Sequence, residues 1–162
     1  MIVIGIDPGS RVTGYGVVSR QGGQLQCIDY GVVRGICRGK PNELHDRLPR
    51  IYSGLRECLT LHPPDAVALE GIFHAVNAQT ALKLGQARGV ALLAAAQTGA
   101  EIFEYSPLQV KKAVVGYGRA EKSQVQLMVA RLLGLKEKPH PHDAADALAI
   151  ALCHTFHSRG KD

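Results

Sequence analysis

The sequence lacks the features that would place it in several broad classes of protein. It has no tryptophan and 5% aromatic residues, and its five tyrosines fall in no motif that separates function from packing. The four cysteines, Cys27, Cys37, Cys58 and Cys153, include no C-x-x-C pair. That argues against zinc or a disulfide framework and for packed, reduced thiols. No long hydrophobic run occurs, since the stretch from Gly89 to Ala96 is far too short to cross a bilayer. Asp7 interrupts the first apolar run and no basic segment precedes it, so no secretory signal is expected and the location reads as cytoplasmic. Internal repeats and low-complexity tracts are missing as well.

What is present is an ordinary globular balance. The chain has 162 residues, 46% of them hydrophobic and 20% charged, enough for a substantial core in a single domain spanning 1–162. Nineteen Lys and Arg oppose fourteen Asp and Glu, a net charge of +5. If four of those acids are sequestered in a site, ten remain against nineteen bases, an excess of nine (19 − 10). Such an excess suits a polyanionic partner such as nucleic acid.

The opening Met1-Ile-Val-Ile-Gly-Ile-Asp7-Pro-Gly organises the rest. Residues 2–6 suit a strand covered on both faces, and Pro8-Gly9 offers a type II turn. Asp7 either opens that turn or stands as a carboxylate at the end of a buried strand. Residues 14–18 and 25–34 complete an antiparallel meander, joined through Gly22-Gly23. A helix is expected from an Asn42 cap to about residue 60, kinked or divided at Pro49. Residues 65–70 read as a buried strand that also ends on a carboxylate, Glu70. A helix between two strands predicts a parallel crossover, which brings Asp7 and Glu70 to the same sheet edge if those strands are neighbours.

The longest helical stretch is 77–98, where Gly85, Gly89, Ala81 and Ala87 leave a smooth surface. It suits either packing on the sheet or a close two-fold interface. A fifth strand (101–105), a helix capped by Ser106-Pro107, and a helix over 121–133 ended by Gly134 follow. The last helix runs from Asp143 to about residue 156 and places Asp143 and Asp146 on one face of its first turn. That position has a structural explanation too, because helix starts favour acids.

A mixed five-stranded sheet flanked by helices, an α/β fold, follows from this order. Four carboxylates brought together repel unless divalent cations neutralise them, and hard oxygen ligands suit Mg²⁺ or Mn²⁺. Two such ions serve in-line displacement at phosphorus. Gly-Ile-Asp7-Pro-Gly-Ser-Arg-Val-Thr-Gly-Tyr-Gly, Leu-Glu70-Gly-Ile-Phe, Ala-Leu-Lys-Leu-Gly-Gln-Ala-Arg-Gly, Ala-Glu-Lys-Ser-Gln-Val-Gln and Asp143-Ala-Ala-Asp146-Ala-Leu-Ala-Ile-Ala together resemble the RuvC Holliday junction resolvases. The match covers nearly the whole chain in family order.

The resemblance implies a ribonuclease H-like fold and a homodimer that nicks two opposing strands of a four-way DNA junction, leaving 5′-phosphate ends. It implies that Asp7, Glu70, Asp143 and Asp146 are catalytic and hold Mg²⁺, with Mn²⁺ able to substitute. One ion would lower the pKa of the attacking water and the other would stabilise the departing 3′ oxygen. Lys111 and Lys122 match positions associated with DNA or scissile-phosphate contact, or are solvated helix lysines. Phe73 either folds onto the core or stacks on bases at the junction. Arg11 could approach a phosphate, and His142, beside Asp143, could assist the metal site or belong to the loop. A partnership with the RuvA–RuvB branch-migration complex is also implied.

Two other readings compete. An actin-like or sugar-kinase phosphotransferase needs a second phosphate turn and a longer chain. A non-catalytic four-way-junction-binding module of the same fold would have no need of all four acids.

Overall fold

Strand pairing follows from the two covered faces of the first strand. The computed structural model describes residues 1–36, 43–71 and 77–158. The meander consists of β1 (Ile2–Asp7), β2 (Val12–Gln21) and β3 (Gln24–Arg34), and β1 also pairs in parallel with β4 (Ala66–Glu70). The strand β5 (Glu101–Tyr105) lies parallel to β4, giving the order β3-β2-β1-β4-β5. This is the expected mixed five-stranded sheet.

Alternation along β1 and β4 assigns each residue to a face. Ile4, Ile6, Val67 and Leu69 pack on one side with α1 (Leu44–Leu61) and α2 (Ala78–Ala96). Val3, Ala66 and Ala68 pack on the other, beneath α3 (Pro107–Val115), α4 (Lys122–Leu132) and α5 (His142–His157). The helix α5 is buried along nearly its whole length, from Ala144 to Thr155 apart from Asp146, and forms the spine of that second layer.

Glycine decides how close α5 can come. A Cβ built on Gly5 would stand 2.0 Å from the Ala147 carbonyl oxygen, one on Gly16 would stand 2.7 Å from the Leu148 nitrogen, and one on Gly14 would stand 2.0 Å from the Asp143 carbonyl oxygen. Gly5 and Gly16 are register partners, as are Asp7 and Gly14. The three glycines form a bare track across β1 and β2 in which α5 beds backbone to backbone.

Several local expectations are met and some are corrected. Gly22 and Gly23 both adopt positive φ (53° and 89°), which matches the twist of a tight hairpin. Ser106 and Gln109 form a reciprocal capping box for α3, and Asn77 accepts from the Thr80 amide at 2.9 Å to cap α2. The type II turn at Pro8-Gly9 does not form, because Gly9 lacks the positive φ it needs. Instead the Thr13 hydroxyl donates to the Gly9 carbonyl at 2.9 Å, and a Cβ on Gly9 would meet the Val12 carbonyl oxygen at 2.2 Å. Pro49 does not divide α1, which runs unbroken with Glu43 at its N-cap; as the sixth residue of the helix it withholds the amide that the His45 carbonyl would otherwise accept from. Asn42, the expected cap, lies outside the described residues. Gly85 and Gly89 do not pack on the sheet. The buried face of α2 is Ala87, Arg88, Ala91, Ala94 and Ala95, while a Cβ on either glycine would meet nothing within 4 Å.

Candidate active site

Register and alternation aim the strand-end acids. Ile6 pairs with Leu69 in parallel, so Asp7 and Glu70 are neighbours one step further along their strands. Ile6 and Leu69 face α1 and α2, so the next residue on each strand faces α5. The bed at Gly14 brings the first turn of α5 against the same edge, and with it Asp143 and Asp146. Two parallel strand ends and one helix start thus deliver Asp7, Glu70 and Asp146 to one cleft, with Asp143 near enough for its charge to act on Asp7.

A cavity of about 370 Å³ opens there, lined by Asp7, Glu70, Asp146, Lys111 and Lys122, with Pro107, Val110, Val125 and Ala149 supplying apolar wall. The electrostatics record how closely the acids are held. Burial, reinforced by the charges of Glu70, Asp146 and Asp143, pushes the Asp7 carboxyl from 3.8 to about 8, with Lys122 opposing. Burial and Asp146 also raise Glu70, against the lowering influence of Lys122, Lys111 and Arg88. Lys122 stands at the start of α4 and reaches Asp146 Oδ2 through Nζ at 3.1 Å. The Asp146 charge and that hydrogen bond raise the lysine above its usual range.

The donor chemistry fits a hard divalent cation. Every candidate ligand is a carboxylate, and Lys122 is the cation paired with them in the cavity. Among the described residues, no three Asp, Glu, His or Cys already converge as a metal cage. An open cleft of this kind matches Mg²⁺, which keeps waters and is completed by one or two carboxylates and substrate phosphates.

The sequence matches that resemble this arrangement run along nearly the whole chain. Residues 3–154 match the family model described as crossover junction endodeoxyribonuclease RuvC. The chain belongs to this family. The crossover junction endodeoxyribonuclease RuvC of Moorella thermoacetica is 51% identical over 154 residues, covering 95% of this chain and 90% of that protein. Its counterpart from Citrifermentans bemidjiense is 51% identical over 160 residues, covering 99% and 94%. Thermus thermophilus RuvC, solved in complex with a Holliday junction substrate, superposes with a TM-score of 0.90 at 42% identity, covering 99% of this chain and 96% of that one. The expected ribonuclease H-like architecture is therefore the fold of this chain.

The remaining candidates divide. Lys111 and Lys122 both line the cavity. Arg11 is exposed in the β1–β2 turn, at the sheet end that carries Asp7. His142 begins α5, with its Nδ1 hydrogen-bonded to the Gln126 side chain of α4. Phe73 lies outside the described residues. Sequence reasoning missed the glycine track, the Gln126 partner of His142, and Arg88. This arginine is buried on α2, donates from Nη1 to the Glu70 carbonyl and pairs through Nη2 with Glu104 Oε2 at 2.7 Å. The Gly14-x-Gly16 alternation was the one available signal for the track, since it leaves one face of β2 without side chains.

Proposed function

We propose that this chain is a structure-specific endonuclease that resolves Holliday junctions by paired, symmetric, metal-dependent nicks in recombination and repair, leaving 5′-phosphate ends. The observation that carries the reading is the convergence of Asp7, Glu70 and Asp146 from three elements on one lysine-rimmed cleft, with the charge of Asp143 also reaching Asp7, in a chain of this family. The presence of all four acids disfavours a junction-binding module without catalysis.

Each residue has a physical task. Asp7, Glu70, Asp143 and Asp146 would hold Mg²⁺, or Mn²⁺ in its place, which when bound lowers the pKa of the attacking water and stabilises the leaving 3′ oxygen. Lys111 and Lys122 draw the scissile phosphate into the cleft and offset the charge of the acids that line it. As DNA enters, Lys122 exchanges its contact with Asp146 for the phosphate. The apolar walls from Val110, Val125 and Ala149 limit water and strengthen every charge interaction inside. His142, fixed by Gln126, steadies the first turn of α5 beside Asp143. Phe73 contributes stacking on junction bases, and Arg11 a phosphate contact at the rim.

The four acids of one chain supply a single such cleft among the described residues, so paired nicks call for two copies. The exposed face of α2 supports a homodimer. Leu82 and Leu93 are 68% and 52% exposed there, and Gly85 and Gly89 leave open room for a second backbone. A cytoplasmic location beside a RuvA–RuvB branch-migration complex completes the reading, and no described helix is long and apolar enough to cross a membrane.

The test is cleavage of a synthetic mobile four-way junction beside linear duplex and RNA, in Mg²⁺, Mn²⁺ or chelator. Paired symmetric nicks that need both metal and junction support the reading. Tight junction binding without cleavage under any metal refutes the nuclease, and equal cleavage of plain duplex refutes the structure specificity.

A further inference from the structure

We propose that Arg88 is a positioning residue for the reaction: from α2 it grips the backbone of Glu70 and so fixes how that carboxylate enters the cleft. This rests on the nuclease reading above. Arg88 is 8% exposed and lies on the alanine-lined face of α2, among Ala87, Ala91, Ala94 and Ala95. A guanidinium is costly at such a place unless its donors are met. Here they are met by two groups from two different strands. Nη1 donates to the carbonyl oxygen of Glu70, the last residue of β4, and Nη2 pairs with Glu104 Oε2 of β5 at 2.7 Å.

The placement of these partners is what gives the contact a functional consequence. Leu69 and Glu104 are register partners, so the guanidinium clasps the β4–β5 edge where the ladder ends. On the far side of Glu70, the Gly71 amide donates to the Tyr105 carbonyl at 2.8 Å. Glu70 is thereby held by its own carbonyl on one side and by its successor's amide on the other, leaving its carboxyl to face the cleft. The three other acids have different supports: Asp7 lies within the β1–β2 ladder, and Asp143 and Asp146 ride on α5. A lysine cannot reproduce this grip. Its single ammonium lacks the planar fork that reaches a carbonyl and a carboxylate in separate directions.

The test compares wild type with R88K, R88A and E104Q on the four-way junction in Mg²⁺. Single-turnover cleavage at saturating enzyme should fall roughly 10–100-fold in R88K and R88A, the usual range for a residue that orients a metal-site ligand. The junction Kd should stay within about 2-fold, and the Mg²⁺ concentration for half-maximal rate should rise several-fold. E104Q keeps an acceptor for Nη2 and should lose less. In metal-free protein, hydrogen exchange at the Gly71 amide should accelerate in R88K while the β1 amides stay protected. A merely structural arginine would lower thermal stability and leave the rate per folded molecule and the Mg²⁺ midpoint alone. That result in R88K overturns the proposal, as does unchanged exchange at Gly71. If R88A fails to fold, R88K and E104Q still decide. If wild type cuts no junction, the proposed function falls, and the exchange comparison still judges Arg88.

Discussion

Asp7→Asn separates what this carboxyl does for folding from what it does for chemistry. In the metal-free protein its pKa is raised from 3.8 to about 8, chiefly by burial and then by Glu70, Asp146 and Asp143. The folded state therefore holds a proton that the unfolded chain gives up near pH 4. Between those values the unfolded state binds fewer protons, so stability falls as pH rises, and below both values the penalty vanishes. The full displacement corresponds to at most about 5–6 kcal/mol, and relaxation and hydration of the open cleft will return a fraction of it. Asparagine has the shape of the neutral acid and cannot ionise. Asp7→Asn should be the more stable protein at pH 8 in chelator, by about 2 kcal/mol, or roughly 4–8 °C in Tm. Its advantage should shrink by at least about 1 kcal/mol at pH 5. Urea unfolding at the two pH values in EDTA measures both quantities. An advantage that is constant with pH, or an asparagine variant less stable than wild type at pH 8, would refute the electrostatic account of the cleft.

Three further outcomes follow from the same structure, and a fourth, at Phe73, follows from the family resemblance. Gly14→Ala sets a Cβ 2.0 Å from the Asp143 carbonyl oxygen, so it should cost about 1–3 kcal/mol and lower cleavage in the molecules that remain folded; a circular-dichroism melt beside a cleavage assay checks both. Gly85→Ala and Gly89→Ala meet nothing within 4 Å and should each stabilise the monomer fold by about 0.5–1 kcal/mol while weakening the proposed dimer, read by sedimentation velocity in analytical ultracentrifugation. Junction affinity should fall linearly with salt on logarithmic axes, at about 0.9 per phosphate neutralised, and Lys111→Met or Lys122→Met should each lower that slope by about one. Phe73→Ala should impair cleavage more than binding, measured as a rate and a Kd on the same junction.

The strand-end acids were legible because each stood where an apolar run stopped, and one crossover rule placed Asp7 and Glu70 on a common edge. The first turn of α5 was legible as a pair of acids. What brings it to that edge was not, since Gly5, Gly14 and Gly16 act through register partners and a helix more than a hundred residues away. Gly9 shows the opposite error. Pro-Gly suggests a positive φ, but Gly9 is required here for its close approach to the Val12 carbonyl, which no dipeptide preference reveals. Gly85 and Gly89 left two readings open, because small residues suit a buried face and an interface equally until the buried face of α2 is known. Arg88 stood within the Ala-Leu-Lys-Leu-Gly-Gln-Ala-Arg-Gly motif and was given no role of its own. Its partners lie on β4 and β5, and local pattern carries no trace of them.

The most direct measurement is single-turnover cleavage of a mobile four-way junction by wild type and by Asp7→Asn, Glu70→Gln, Asp143→Asn and Asp146→Asn, with junction binding measured alongside. If the four carboxylates form one site, every variant should lose at least roughly 100-fold in rate while binding the junction nearly as well as wild type. A variant that cleaves at the wild-type rate removes its residue from the site and contradicts the account.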